Sequence, residues 1–107
     1  MKDNKVYINQ IIDSVSKIEL FVTGMTTDQF KKDMKTQSAV ILQLALIGET
    51  SKKIDPDTKA SIDLPWKNIA GFRDKAIHNY FELDLDLVWG TIKNDLPTLK
   101  KELQKKL

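Results

Sequence analysis

The chain of 107 residues contains no cysteine, which excludes disulfides, structural thiolate zinc sites and cysteine nucleophiles and suits a reducing cytoplasm. Arginine and histidine occur once each, as Arg73 and His78, whereas the other basic residues are all lysine. Any chemistry that needs a guanidinium or an imidazole therefore has one place to occur. A formal net charge of +2 does not by itself predict nucleic-acid binding, so an RNA ligand would need basic charge gathered locally. No apolar run approaches membrane-spanning length, and Met1-Lys2-Asp3-Asn4-Lys5 leads into an amphipathic segment without the apolar core of a signal peptide. The expectation is a cytoplasmic protein with no membrane attachment. Its length allows one domain, residues 1–107, and excludes a nucleotide-binding domain with a separate catalytic domain. No repeat, linker or low-complexity segment interrupts it.

What is present is helical periodicity nearly throughout, with no sustained period of two, and this predicts an all-α bundle of four to five helices. A first helix is expected from about Lys5 to Val22, with Tyr7, Ile11, Val15, Ile18 and Val22 on one stripe and Gly24 closing it. Thr27 and Asp28 offer a capping start, after which Phe30 and Met34 lead into a long second helix reaching about Ile54. Between Ala39 and Ile47 only Gln43 is polar. A helix apolar nearly all round is buried on more than one side, and in so small a domain another subunit readily supplies the second. Asp55-Pro56-Asp57 breaks that helix, and a loop or short turn is expected to Leu64. Pro65 suits the first turn of a third helix that carries Trp66, Ile69, Phe72 and Ile77 and ends near Asn79. Asp84 can cap a fourth, with Leu85, Trp89, Ile92, Leu96, Leu99 and Leu103 at steps of four and three and a kink expected at Pro97.

The two singular residues fall together in Arg73-Asp74-Lys75-Ala76-Ile77-His78-Asn79-Tyr80. Arginine presents a planar, permanently charged fork suited to phosphate, and histidine exchanges protons near neutrality. A five-residue step turns about 140° around a helix, a gap that arginine's length partly closes. Asp74 lies four residues before His78, on one face, where its carboxylate can orient the imidazole. RNA is cleaved without metal when the ribose 2′-hydroxyl attacks the adjacent phosphorus: one group takes its proton, another protonates the leaving 5′-oxygen, and a cation stabilises the phosphorane. His78 can move protons and Arg73 can stabilise charge. One histidine does not easily fill both proton-transfer roles, so a symmetric dimer with two copies of the segment facing one cleft is expected.

Other residues have plainer readings. Gly48 within a good helix costs about 1 kcal/mol against alanine, which points to close helix packing or a dimer contact. Glu49 is expected to reach a partner amide or a lysine rather than serve as a catalytic acid. Trp66 and Trp89 are expected in the core rather than stacked on bases, and Tyr80 beside Phe81 reads as a core aromatic unless its phenol borders the cleft. Turn and cap chemistry explains Asp55, Asp57 and Asp63, and Lys100, Lys101, Lys105 and Lys106 suit a solvated helix end. No metal and no cofactor is expected.

From Gln37 to Leu103 the chain resembles the HepT-like branch of the HEPN superfamily, small all-α proteins found with minimal nucleotidyltransferases in prokaryotic toxin–antitoxin systems. Leu46-Ile47-Gly48-Glu49-Thr50, Leu64-Pro65-Trp66, Ile69-Ala70-Gly71-Phe72-Arg73-Asp74, His78-Asn79-Tyr80-Phe81 and Leu87-Val88-Trp89 fall in the family's order and spacing. Arg73, His78 and Tyr80 match its motif of arginine, four to six residues, histidine, one residue and tyrosine. The resemblance implies a HEPN-like helical bundle and a metal-independent endoribonuclease toxin, active as a homodimer on RNA, with transfer RNA the substrate expected from family behaviour. Arg73 and His78 would be catalytic and Asp74 supporting. Tyr80 would correspond to the tyrosine that a partner nucleotidyltransferase antitoxin modifies with AMP, adding bulk and negative charge beside the phosphate site. Two other readings stay open: a non-catalytic helical subunit that binds a nucleotidyltransferase, using the Ala39–Ile47 helix, and an RNA-binding regulator that does not cut.

Overall fold

Asp3 starts the first helix by accepting the Lys5 amide on its side chain, and α1 runs over Asn4–Phe21. The structure, a computed structural model, describes residues 3–107; Met1 and Lys2, on which the expectation of no signal peptide partly rests, lie outside the described residues. Ile11, Val15 and Ile18 are fully buried on α1, as their spacing predicts. Gly24, at φ 76°, turns the chain in the left-handed conformation that glycine adopts without penalty.

The expected long second helix is two helices. Thr26 and Gln29 form a reciprocal capping box at the start of α2, Thr27–Lys32. Asp33 then leaves helical geometry and caps α3, Met34–Ser51, by accepting the Thr36 amide at 3.0 Å and the Thr36 hydroxyl at 2.8 Å. Those two bonds compensate for the break in the backbone ladder. Within α3, Val40, Ile41, Leu44 and Ile47 are buried, and the helix packs on α1 at one side and on α5 at the other. Its second buried side is thus supplied within the chain, which corrects the expectation that another subunit supplies it. A third stripe stays open: Leu42 is 57% and Leu46 44% exposed.

Asp55 accepts the Thr58 amide at 2.8 Å and caps the short α4, Pro56–Ala60, where only a loop or turn was expected. The Asn4 side chain also donates to Asp55 and so ties the start of α1 to the end of α3. Pro65 stands at the N-cap of α5, Trp66–His78, rather than inside its first turn. After a 3-10 turn at Tyr80–Glu82, Asp84 caps α6, Leu85–Gly90, which continues through a π-helical turn at Thr91–Asp95 into α7, Leu96–Gln104. Pro97 has no amide to give the carbonyl four residues back. The widened turn accommodates that loss where a kink was predicted.

Contacts between helix ends set the direction of each helix. Asn4 meets Asp55, Ser38 meets Tyr80, and Lys100 meets Glu19 at 2.8 Å, so neighbouring helices run antiparallel in an all-α up-and-down bundle. Val88, Ile92, Leu96, Leu99 and Leu103 close its core against α1, α3 and α5, with Phe30 and Trp89 in contact at 5.3 Å. Trp66 also packs against this core, and its indole donates to the carbonyls of Lys59 and Ile62. No helix among the described residues is long and apolar enough to cross a membrane.

Candidate active site

Gly48 decides where the site helix sits. A Cβ at this position would lie 2.7 Å from the Arg73 amide nitrogen and 3.1 Å from the carbonyl oxygens of Ile69 and Ala70. Helices α3 and α5 therefore cross with their backbones almost in contact, a separation that any side chain at 48 would prevent. The close packing expected of Gly48 is found, and it locates the backbone of Arg73 directly.

The guanidinium of Arg73 lies half-exposed between two carboxylates. Its Nε is 3.4 Å from Glu49 Oε1, and its Nη1 donates to Asp74 Oδ1 at 3.3 Å. Glu49 also pairs with Lys52 at 3.3 Å, so it does reach a lysine as expected, but it reaches Arg73 too. Asp74 is turned toward Arg73 and makes no hydrogen bond or ion pair with His78 among the described residues, contrary to the expected orienting pair. The neighbouring guanidinium offers Asp74 a charged partner that a single exposed imidazole does not match.

His78 is the last residue of α5 and is exposed. The chain then departs from helical geometry at Asn79, whose amide still donates to the Lys75 carbonyl. This departure overturns the reading of Tyr80 and Phe81 as core aromatics. Tyr80 is 38% exposed and hydrogen-bonded through its phenol to Ser38 Oγ at 2.9 Å, while Phe81 is 98% exposed and meets the Tyr80 ring edge-on. Ile77, expected on the buried stripe of α5, is 58% exposed. The exposure of Ile77 has a different cause: α5 packs mainly on α3, so only Ile69 and Ala76 are buried along its length.

A coherent surface results. On α3, Ser38, Leu42, Leu46 and Glu49 lie on one open stripe, about 16 Å long at 1.5 Å per residue. Tyr80 touches its first residue and Arg73 its last. Leu42, Leu46, Ile77 and Phe81 are exposed apolar side chains of these segments, and Arg73 and His78 are carried on α5 between them. Sequence reasoning missed the contacts Glu49–Arg73 and Ser38–Tyr80, which join residues 24 and 42 positions apart. Only the glycine beside Glu49 signalled that α3 would meet another backbone there.

Comparison with known proteins gives this geometry a family. The chain is 40% identical over 105 residues to "Probable ribonuclease HepT" of Thermococcus cleftensis, covering 97% of this chain and 96% of that one. It is 38% identical over 104 residues to a "Putative RNase" of Methanocaldococcus jannaschii, covering 96% and 86% respectively. It is 32% identical over 105 residues to another of that name from Caldanaerobacter subterraneus, covering 97% and 94%. No solved structure matches it. The family model described as "Ribonuclease HepT-like" matches residues 11–105, nearly all of the bundle and every residue of the candidate site, and the chain belongs to the HepT-like ribonuclease family.

Proposed function

We propose that this protein is a metal-independent endoribonuclease that acts as a symmetric dimer, each chain a single domain of residues 1–107. The observation that carries the reading is the placement of the chain's one arginine and one histidine on an open ledge of α5, beside an apolar stripe that a second copy would cover. In the reaction the ribose 2′-oxygen forms a bond to phosphorus and the bond from phosphorus to the 5′-oxygen breaks. One His78 takes the 2′-hydroxyl proton, and the partner copy's imidazole gives a proton to the departing oxygen. Arg73 offers donors to the phosphorane oxygens, where charge develops. The products are a 2′,3′-cyclic phosphate and a free 5′-hydroxyl.

Glu49 and Asp74 do not block this role. Ion pairs this exposed are worth about 0–1 kcal/mol, so an RNA phosphate can exchange with Asp74 at Arg73. Asp74 then supports the arginine rather than the histidine. The same reading makes the protein a cytoplasmic toxin, transfer RNA its substrate, and a minimal nucleotidyltransferase its antitoxin, which transfers AMP from ATP to the Tyr80 phenol oxygen with release of pyrophosphate and of the phenol proton. The half-exposed phenol supports that last step, because its one hydrogen-bond partner among the described residues is the exposed Ser38 hydroxyl and AMP attached there would carry negative charge into the phosphate site.

The test is cleavage of total transfer RNA in EDTA by wild type, Arg73→Ala and His78→Ala, with the product ends identified. Cleavage by wild type alone, leaving cyclic phosphates, is expected; equal cleavage by all three would refute the assignment. The exposed apolar stripe also favours a second reading, a subunit that only binds a nucleotidyltransferase. A stable complex with such a partner, and no cleavage by wild type free of AMP on Tyr80, would decide for it.

A further inference from the structure

An arginine that stabilises a phosphorane must be aimed, and the arrangement around Arg73 shows what aims it. The guanidinium has five N–H donors. Glu49 lies against its Nε edge at 3.4 Å, while the far edge, formed by Nη1 and Nη2, meets the exposed Asp74 at Nη1 and no other ion-pair or hydrogen-bond partner among the described residues. Glu49 in turn sits one residue beyond Gly48, where α3 and α5 are in backbone contact at Arg73 itself. The two ends of the ion pair are therefore mounted on helices whose backbones meet at this point. Lys52, one turn along α3, holds Glu49 from the other side at 3.3 Å. A side chain so held can orient the guanidinium without occupying the edge that a phosphate would grip.

We propose that Glu49 is a positioning residue for the cleavage reaction: it holds the Nε edge of Arg73 so that the Nη1–Nη2 edge is presented to the scissile phosphate. The inference rests on the nuclease reading above. It has an opposing expectation of opposite sign, because a carboxylate near a phosphate site that did nothing but repel RNA would, on removal, tighten binding and leave turnover the same or faster. Aiming predicts instead that Glu49→Ala lowers kcat by roughly 2–5-fold, the scale of an ion pair this exposed, with KM unchanged or lower. Glu49→Gln keeps the shape and an acceptor oxygen and should recover part of kcat.

Two measurements on the full chain test this. The first is kcat and KM of wild type, Glu49→Ala and Glu49→Gln on a short single-stranded RNA that wild type cuts. The second uses the fact that Arg73 is the only arginine, so its Nε–Hε group gives a single NMR signal free of overlap. That signal should shift in Glu49→Ala and return part of the way in Glu49→Gln, because the carboxylate 3.4 Å away polarises the Nε–Hε bond. Unchanged kcat in Glu49→Ala, or an Nε–Hε signal indifferent to the substitution, would overturn the proposal. An absence of cleavage by every protein, with the signal still responding to residue 49, would refute the nuclease reading while leaving the Glu49–Arg73 contact established.

Discussion

Replacing Gly48 with alanine should separate activity from stability. Alanine is worth about 1 kcal/mol more than glycine inside a helix, so an unobstructed Gly48→Ala would stabilise the protein. The new methyl would instead lie 2.7 Å from the Arg73 nitrogen, and ordinary contact begins near 3.4 Å. The obstructing atoms belong to the α5 backbone and cannot rotate away, so α5 must retreat as a body by more than half an ångström. Overpacking of this kind costs about 1–3 kcal/mol, which leaves a net destabilisation of about 0–2 kcal/mol and a lowering of Tm by about 4–8 °C for each kcal/mol. The fold survives that loss. Activity suffers more, because the retreat carries Arg73 away from Glu49 and from the phosphate, and a 1 Å misplacement can cost on the order of 100-fold. Urea denaturation and single-turnover cleavage of one RNA substrate measure the two effects side by side. Gly90→Ala is the control: nothing lies within 4 Å of a Cβ there, so a small gain in stability and unchanged cleavage are expected. A Gly48→Ala protein that is about 1 kcal/mol more stable and cleaves like wild type would refute the crossing and the account of the site built on it.

Three further outcomes follow from the fold and the open stripe. Phe30 is fully buried against Trp89, and Phe30→Ala should cost about 3–5 kcal/mol by denaturation; a loss under about 1 kcal/mol would show that α2 is not docked as described. Asp33 and Asp55 have pKa values held below the ordinary 3.8, chiefly by the backbone amides of Thr36 and Thr58. Their contribution is therefore complete above that value and is lost as pH falls through the lower folded-state values. Asn caps equally well and does not titrate, so Asp33→Asn with Asp55→Asn should flatten the acid limb of the stability curve, and an unchanged limb would count against these caps. Leu46→Glu on the open stripe should give a folded monomer by light scattering and no RNA cleavage, whereas a dimeric variant would place the subunit interface elsewhere.

The parts of the fold legible in the sequence are those in which one periodic pattern runs unopposed. Ile11, Val15 and Ile18 mark α1, and Leu96, Leu99 and Leu103 mark α7, because nothing local competes with their helical spacing. Residue 33 was not legible, since an aspartate before Met34-Lys35-Thr36 is compatible with a continuing helix and only its two bonds to Thr36 tip the balance. Helix α4 spans five residues, too few for a period to register, although Asp55-Pro56 is a good helix start. At the site, residue types identified Arg73, His78 and Tyr80 as the candidates, and spacing paired Asp74 with the wrong partner. Spacing along one helix says nothing about what another helix brings alongside, so Glu49 and Ser38 emerged only from the packing of α3 on α5. Tyr80 beside Phe81 read as a core aromatic by residue type, but the 3-10 turn at Tyr80–Glu82 leaves Phe81 98% exposed.

Helix α5 owes little to itself. Pro65 gives it no side-chain cap, and only two of its thirteen residues are fully buried. Helices shorter than about 12–15 residues are marginal in isolation, so α5 is helical because it is docked, through the Gly48 crossing and the Trp66 indole. Its amides should therefore exchange with solvent through local opening, ahead of the global unfolding that exposes those of α1 and α3. On that account the helix that carries the arginine and the histidine opens at a lower free energy than the helices it docks on. Warming should then silence the protein before it unfolds it.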